Sequence, residues 1–135
     1  MFQETYDASA KSAAAKVRFL KDNPIGYVMA SLLGGAYLGF GILLTYTISG
    51  FLGDWPARHI IMGASFGVAL SLVIICGAEM FTGNAFVLYN GLRRKLISIK
   101  DVLCLWAVCY GGNWLGAVIL SLLFYGAGYD TGTTA

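Results

Sequence analysis

Apolar residues run almost without interruption over roughly Ile25 to Phe51, His59 to Gly91 and Val102 to Tyr129, and polar residues gather between those stretches. Each stretch exceeds the ~20 residues that a helix needs to cross hydrocarbon. The pattern therefore predicts an all-α membrane protein with three transmembrane helices. Ahead of them, Tyr6, Ala10, Ala13, Ala14, Val17 and Leu20 recur at spacings of three and four, as on an amphipathic helix lying on the membrane surface. A solvated tail that supplies only topogenic charge is the plainer alternative. Pro24 ends this segment, because proline cannot continue a helix and restricts Asn23 before it. The chain divides into an amphipathic N-terminal segment, 1–23, and a three-helix membrane repeat, 24–135.

The second stretch is too long. His59 to Gly91 is 33 residues, which as one straight helix would reach roughly 50 Å, against ~30 Å of hydrocarbon. Its apolar run is also interrupted by "CGAEMFTGN", residues 76–84. Two readings compete: the helix ends near Gly77 with "AFVLYN" at the interface, or it breaks within the membrane and resumes. A break at depth is tolerated only where the freed backbone is buried in protein or lines a wet cavity, so the second reading implies a permeation path. Glu79 fits it, since an intramembrane carboxylate marks a pathway or has a structural partner. A fixed negative charge repels an anion, which assigns Glu79 to holding the break by accepting backbone hydrogen bonds. Thr82, with a hydroxyl that both donates and accepts, is the better substrate contact. Gly83 is expected to supply the conformational freedom of the break, with Asn84 as a further structural residue beside it.

Small residues recur four apart. Ser31, Gly35 and Gly39 do so in the first span, Gly63 and Gly67 in the second, Gly112 and Gly116 in the third. Such spacing lets helix backbones approach closely where lipid offers no hydrophobic drive for association. Gly35, Gly39, Gly63, Gly67, Gly112 and Gly116 are therefore read as packing positions.

Composition agrees with the pattern: 58% hydrophobic, 12% charged, with a mean hydropathy of +0.71. The net charge of +2 is uninformative, but eight of the nine basic residues flank the first span or lie between the second and third; only Arg58 is elsewhere. By the positive-inside bias the N-terminus is cytoplasmic and the chain runs inside, out, in, out. Cys76, Cys104 and Cys109 match no zinc or haem spacing and read as small buried residues. Neither a cofactor nor a metal is expected. "LRRKLISIK" is too short, and too close to a span, for a nucleic-acid surface. Glu79 has no partner acid, base or metal ligand, which ranks an enzyme last.

"LVIICGAEMFTGN" resembles the first signature of the formate/nitrite transporter family, with Met80 in place of the usual Leu. "NPIGYVMASLLGGAYLGFGILL" resembles that family's first membrane helix, and "YGGNWLGAV" its third. The resemblance implies an aquaporin-like half repeat: two inverted three-helix repeats form the channel, assembled as a pentamer with one pore per protomer. It further implies passage of small monovalent anions or their weak acids (formate, nitrite, hydrosulfide); the expected location is the cytoplasmic (inner) membrane. On the family's pattern Thr82 points into the pore, and the hydrophobic constrictions map onto Phe66, Leu70, Met80 and Phe81. Without the resemblance, Phe66 and Leu70, four apart on one helix face, read as core packing residues.

The family needs roughly twice this length, and its second repeat normally supplies the pore histidine and lysine. His59 stands beside Arg58 at the outer start of the second stretch and does not match them. The expectation is thus the first half of a channel whose second repeat is missing. An antiparallel homodimer would need both orientations, which the charge bias disfavours. The alternative function is a non-transporting accessory or assembly subunit. The residues do not choose among the anions, or between channel and proton-coupled carrier.

Overall fold

The computed structural model describes residues 2–128, and their order is five helices: α1 Phe2–Asp22, α2 Pro24–Leu52, α3 Arg58–Ile75, α4 Phe81–Arg93 and α5 Ile99–Gly126. Tyr129 and the "YDTGTTA" tail lie outside the described residues. Helices α2, α3 and α5 are long and apolar enough to cross a membrane. The second stretch thus breaks at residues 76–80 and resumes as α4, the second of the two readings left open above.

The joint between α1 and α2 is made by Asn23. Its side chain accepts the Gly26 N–H at 2.9 Å, and Pro24 takes the first helical position, where a missing N–H costs nothing. Helix α5 starts on a capping box between Ser98 and Asp101.

Helix α2 is the spine, packed along α5 on one side and α3 on the other. The α2–α5 contact is backbone to backbone. A Cβ on Gly35 would run into the Asn113 carbonyl, one on Gly116 into the Leu32 carbonyl, and one on Gly112 into Ser31. These three glycines pack as their spacing predicts, and Gly39 rests on Leu120. Gly63 and Gly67 do not: both are exposed, with open space where a Cβ would stand. Helix α3 is approached instead through Gly41 of α2, which sits on Ala69. The spacing is present on α3, but the face that carries it points away from the other helices of this chain.

The apolar stripe of α1 packs against the rest of the chain. Ala10, Ala13 and Val17 are buried, Ala13 lies where a Cβ on Gly91 of α4 would be, and the stripe joins Leu88, Ile97 and Val102 in the buried core. Polar links fix the same contact: Asn90 Nδ2 donates to Ser9 Oγ at 3.0 Å, and Arg94 pairs with Asp7 and lies over the Tyr6 ring.

Candidate functional site

The site is built at the break. Helix α3 closes with Cys76 and then Gly77, whose φ of 68° is left-handed. The Ala78 N–H returns to the Val73 carbonyl at 3.0 Å, the six-to-one bond of a Schellman cap, and glycine is favoured at its left-handed position. The conformational freedom therefore resides in Gly77. Gly83, expected to supply it, lies in the first turn of α4 with ordinary helical backbone.

The five residues between the helices are sutured to both neighbouring spans. The Glu79 N–H donates to the Ala30 carbonyl of α2 at 3.1 Å. Asn113 of α5 does the rest: its Nδ2 donates to the carbonyls of Ser31 at 2.7 Å and Glu79 at 2.8 Å, and its Oδ1 accepts the Phe81 N–H at 3.0 Å. One amide side chain thus supplies both a donor and an acceptor that the interrupted helix has lost. Gly34 makes room, since a Cβ there would collide with the Glu79 carbonyl. Asn113 stands midway along α5, so the break lies near mid-depth of the bundle.

Glu79 is buried, with 7% of its surface accessible. Its carboxylate accepts from side chains, not from backbone as expected: Lys16 of α1 on one oxygen, Asn84 Nδ2 at 2.9 Å and the Tyr27 hydroxyl at 3.4 Å on the other. Asn84 Nδ2 also reaches the Tyr27 oxygen at 3.1 Å and lies 3.4 Å from Cys109 Sγ. The carboxylate is therefore neutralised by a cation, and the objection that it would repel an anion weakens. Of the three cysteines, only Cys109 is buried; Cys76 and Cys104 are exposed, against the expectation for them.

On the open side of the break α4 begins with Met80 in extended conformation and no side-chain cap. The first helical bond runs from the Asn84 N–H to the Met80 carbonyl at 3.0 Å. The N–H groups of Thr82 and Gly83, and the Thr82 hydroxyl, thus find no acceptor among the described residues. Both residues are exposed, and the space beside Gly83 is open. Met80 is half-buried. Phe81 turns the other way, its ring 5.8 Å from Trp106 and 5.5 Å from Tyr110 on α5. Phe66 and Leu70 share one side of α3, Phe66 beside Gly41 and Leu70 46% exposed. Thr82 and Leu70 thus face open space, whereas Phe66 and Phe81 also pack within the chain.

Sequence reasoning missed Lys16, Tyr27 and Asn113. Asn113 carried a signal, an amide inside an apolar span, and such residues are there to bond other helices. Lys16, three residues after Ala13 and beside Val17, sits at the edge of the α1 stripe.

Residues 3–134 match a family model described as formate/nitrite transporter. The nitrite transporter NirC of Salmonella typhimurium is 39% identical over 124 residues, covering 92% of this chain and 46% of that protein. A probable formate transporter of Methanothermobacter thermautotrophicus is 35% identical over 118 residues, covering 84% and 43%. A solved FNT family ion channel superposes with a TM-score of 0.87 at 38% identity, covering 93% of this chain and 50% of that one. The chain spans about half the length of the curated relatives it matches.

Proposed function

Because the chain belongs to the formate/nitrite transporter family, we propose that it forms the first half of a membrane path for small monovalent anions or their weak acids. The family is one of transporters, and we read this chain as a transport protein rather than an enzyme. The observation that carries the proposal is the open side of the break. There, two backbone N–H groups and the Thr82 hydroxyl have no acceptor among the described residues, while the opposite side is tied to α2 and α5. Donors left open at a helix start suit an anion, and a break is tolerated where it lines a cavity.

In this reading Thr82 contacts the anion, with Leu70, Phe66, Met80 and Phe81 as the apolar constrictions near it. Glu79, Asn84 and Asn113 hold the break. Gly77 makes the turn that Gly83 was expected to allow. Greasy constrictions disfavour a bare anion and favour a neutralised weak acid. The substrate class extends what the relatives' names say, nitrite and formate, to this chain. Orientation with α1 in the cytoplasm, at an inner membrane, rests on the charge asymmetry.

Helix α3 has only 11% of its most apolar window buried, and Gly63 and Gly67 face outward. That favours a further helical partner on this face: a second repeat, and beyond it a homo-oligomer, the pentamer of the family pattern. The same observation supports the accessory-subunit reading.

Nitrite and formate flux into proteoliposomes, measured for the chain and for Thr82→Val, tests the path. Losing a hydrogen bond to a charged group costs ~1.5–3 kcal/mol, or about tenfold or more in flux if the bond forms at the barrier. Flux that Thr82→Val leaves unchanged refutes Thr82 as the contact. A folded, inserted chain without flux shifts the reading to a half that needs its partner, or to the accessory role.

A further inference from the structure

The turn from α4 to α5 places a lysine where the backbone favours glycine. Lys95 takes a φ of 56°, and the Leu96 N–H closes on the Gly91 carbonyl at 3.0 Å. This is again the six-to-one bond of a Schellman cap, whose left-handed position an L side chain disfavours. Lys95 is exposed and joins no ion pair among the described residues. Stabilising the C-terminus of α4 does not account for it, since Arg93 and Arg94 already place two cations there.

Beside Lys95 in the chain, Leu96 opens onto a groove of mixed character. Arg18 of α1, with Val17, Leu96 and Ile97, lines a cavity of about 280 Å³ between α1 and this turn. Lys21 and Asp101 also line it but hold each other at 2.7 Å. Asp22 is the remaining carboxylate of the lining and Arg18 its remaining cation; Lys95 and Lys100, both exposed, adjoin the lining residues Leu96 and Asp101 in the chain. Leu96 and Ile99 are 50% and 55% exposed and alternate with Lys95 and Lys100. Cations interleaved with exposed aliphatic side chains, at the start of the membrane helix α5, match the boundary between headgroups and acyl chains.

We propose that Arg18, Lys95 and Lys100 bind the phosphate of an anionic phospholipid headgroup, with Leu96 and Ile99 against its glycerol and upper acyl region. The lysine is kept at a glycine position because its charge meets this lipid. The proposal rests on the placement of α2, α3 and α5 in a bilayer and on α1 lying at the inner leaflet. It does not involve the anion path, so either can fail without the other.

The test uses the purified chain in a neutral detergent, with phosphatidylglycerol, phosphatidylcholine or inorganic phosphate added. Lipid retained is counted by native mass spectrometry, and the melting temperature is followed in parallel. Phosphatidylglycerol is expected to be retained at least about tenfold over phosphatidylcholine and to raise the melting temperature. Removing one cation weakens retention about fivefold. Lys95→Gly therefore has opposite effects on the two readouts: a higher melting temperature without lipid and weaker retention of phosphatidylglycerol. Arg18→Gln with Lys100→Gln weakens retention further. Equal retention of the two lipids overturns the proposal, as does a Lys95→Gly protein that keeps its phosphatidylglycerol or melts lower without lipid. Inorganic phosphate that stabilises equally and displaces phosphatidylglycerol identifies a free-anion site instead.

Discussion

Replacing Asn113 with alanine removes the side chain that ties the α4 end of the break to α5 and to α2. Three hydrogen bonds disappear, from Nδ2 to the Ser31 and Glu79 carbonyls and from the Phe81 N–H to Oδ1. At the ~0.6 kcal/mol averaged by interhelical bonds within membranes, the loss is about 2 kcal/mol. Part of the freed backbone is left without solvent, and an unpaired buried polar group costs ~1–3 kcal/mol, so the expected range is about 2–4 kcal/mol. Asn113→Asp sharpens the argument. It keeps an acceptor for the Phe81 N–H but, when ionised, turns carboxylate oxygen toward two carbonyls. It should be less stable than the alanine variant at neutral pH. Reversible unfolding in mixed micelles, followed by tryptophan fluorescence, measures both, since Trp106 lies beside Phe81. An Asn113→Ala protein within ~0.5 kcal/mol of the parent, below the cost of one bond, would show that the break holds without its suture.

The glycines give a contrast within one substitution type. Gly35→Ala and Gly116→Ala drive a methyl into backbone carbonyls, and overpacking of that kind costs ~1–3 kcal/mol or more. Gly63→Ala and Gly67→Ala meet open space and should stabilise the isolated chain by ~0.5–1 kcal/mol through helix propensity; the same unfolding titration decides, and destabilisation by Gly67→Ala would mean that α3 has a partner on that face. For the ion pair, Lys16 keeps 23% of its side chain accessible and Glu79 10%. Glu79→Gln should therefore cost less than the ~3–5 kcal/mol of a fully buried broken pair. Lys16→Met alone should cost more than Lys16→Met in the Glu79→Gln background, and additive effects in that double-mutant cycle would refute the coupling.

Much of this architecture is legible along the chain because membrane helices announce themselves locally. Length alone showed that the second stretch could not be one straight spanning helix, and "CGAEMFTGN" marked where it is interrupted. Spacing alone could not say which glycines have neighbours: Gly35 and Gly67 carry the same four-residue pattern, yet only the first meets another backbone. The partners of the break are equally invisible to local pattern. Lys16 lies 63 residues from Glu79, and Asn113 lies 82 from Ser31. Glu79 stood out as a charge within an apolar stretch, but only the packing of α1 on α4 and of α2 on α5 brings Lys16 and Asn113 to it. Gly83 shows the complementary error: a glycine at the right motif, six residues after the glycine that makes the turn.

A helix interrupted in mid-course invites the idea of a hinge, and the way this one is interrupted argues against it. A hinge absorbs changes in φ and ψ through residues whose backbone groups can exchange partners at little cost. Here the non-helical backbone is held by an α2 carbonyl, an α5 amide and, through its carboxylate, α1. Such a segment belongs to the slow-exchanging, last-to-open part of a fold rather than to its fluctuating part. In the proposed path the donors at Thr82 and Gly83 would then be a stationary fixture. Opening and closing would fall to elements that move relative to it, and discrimination between ions would rest on geometry that does not change as they pass.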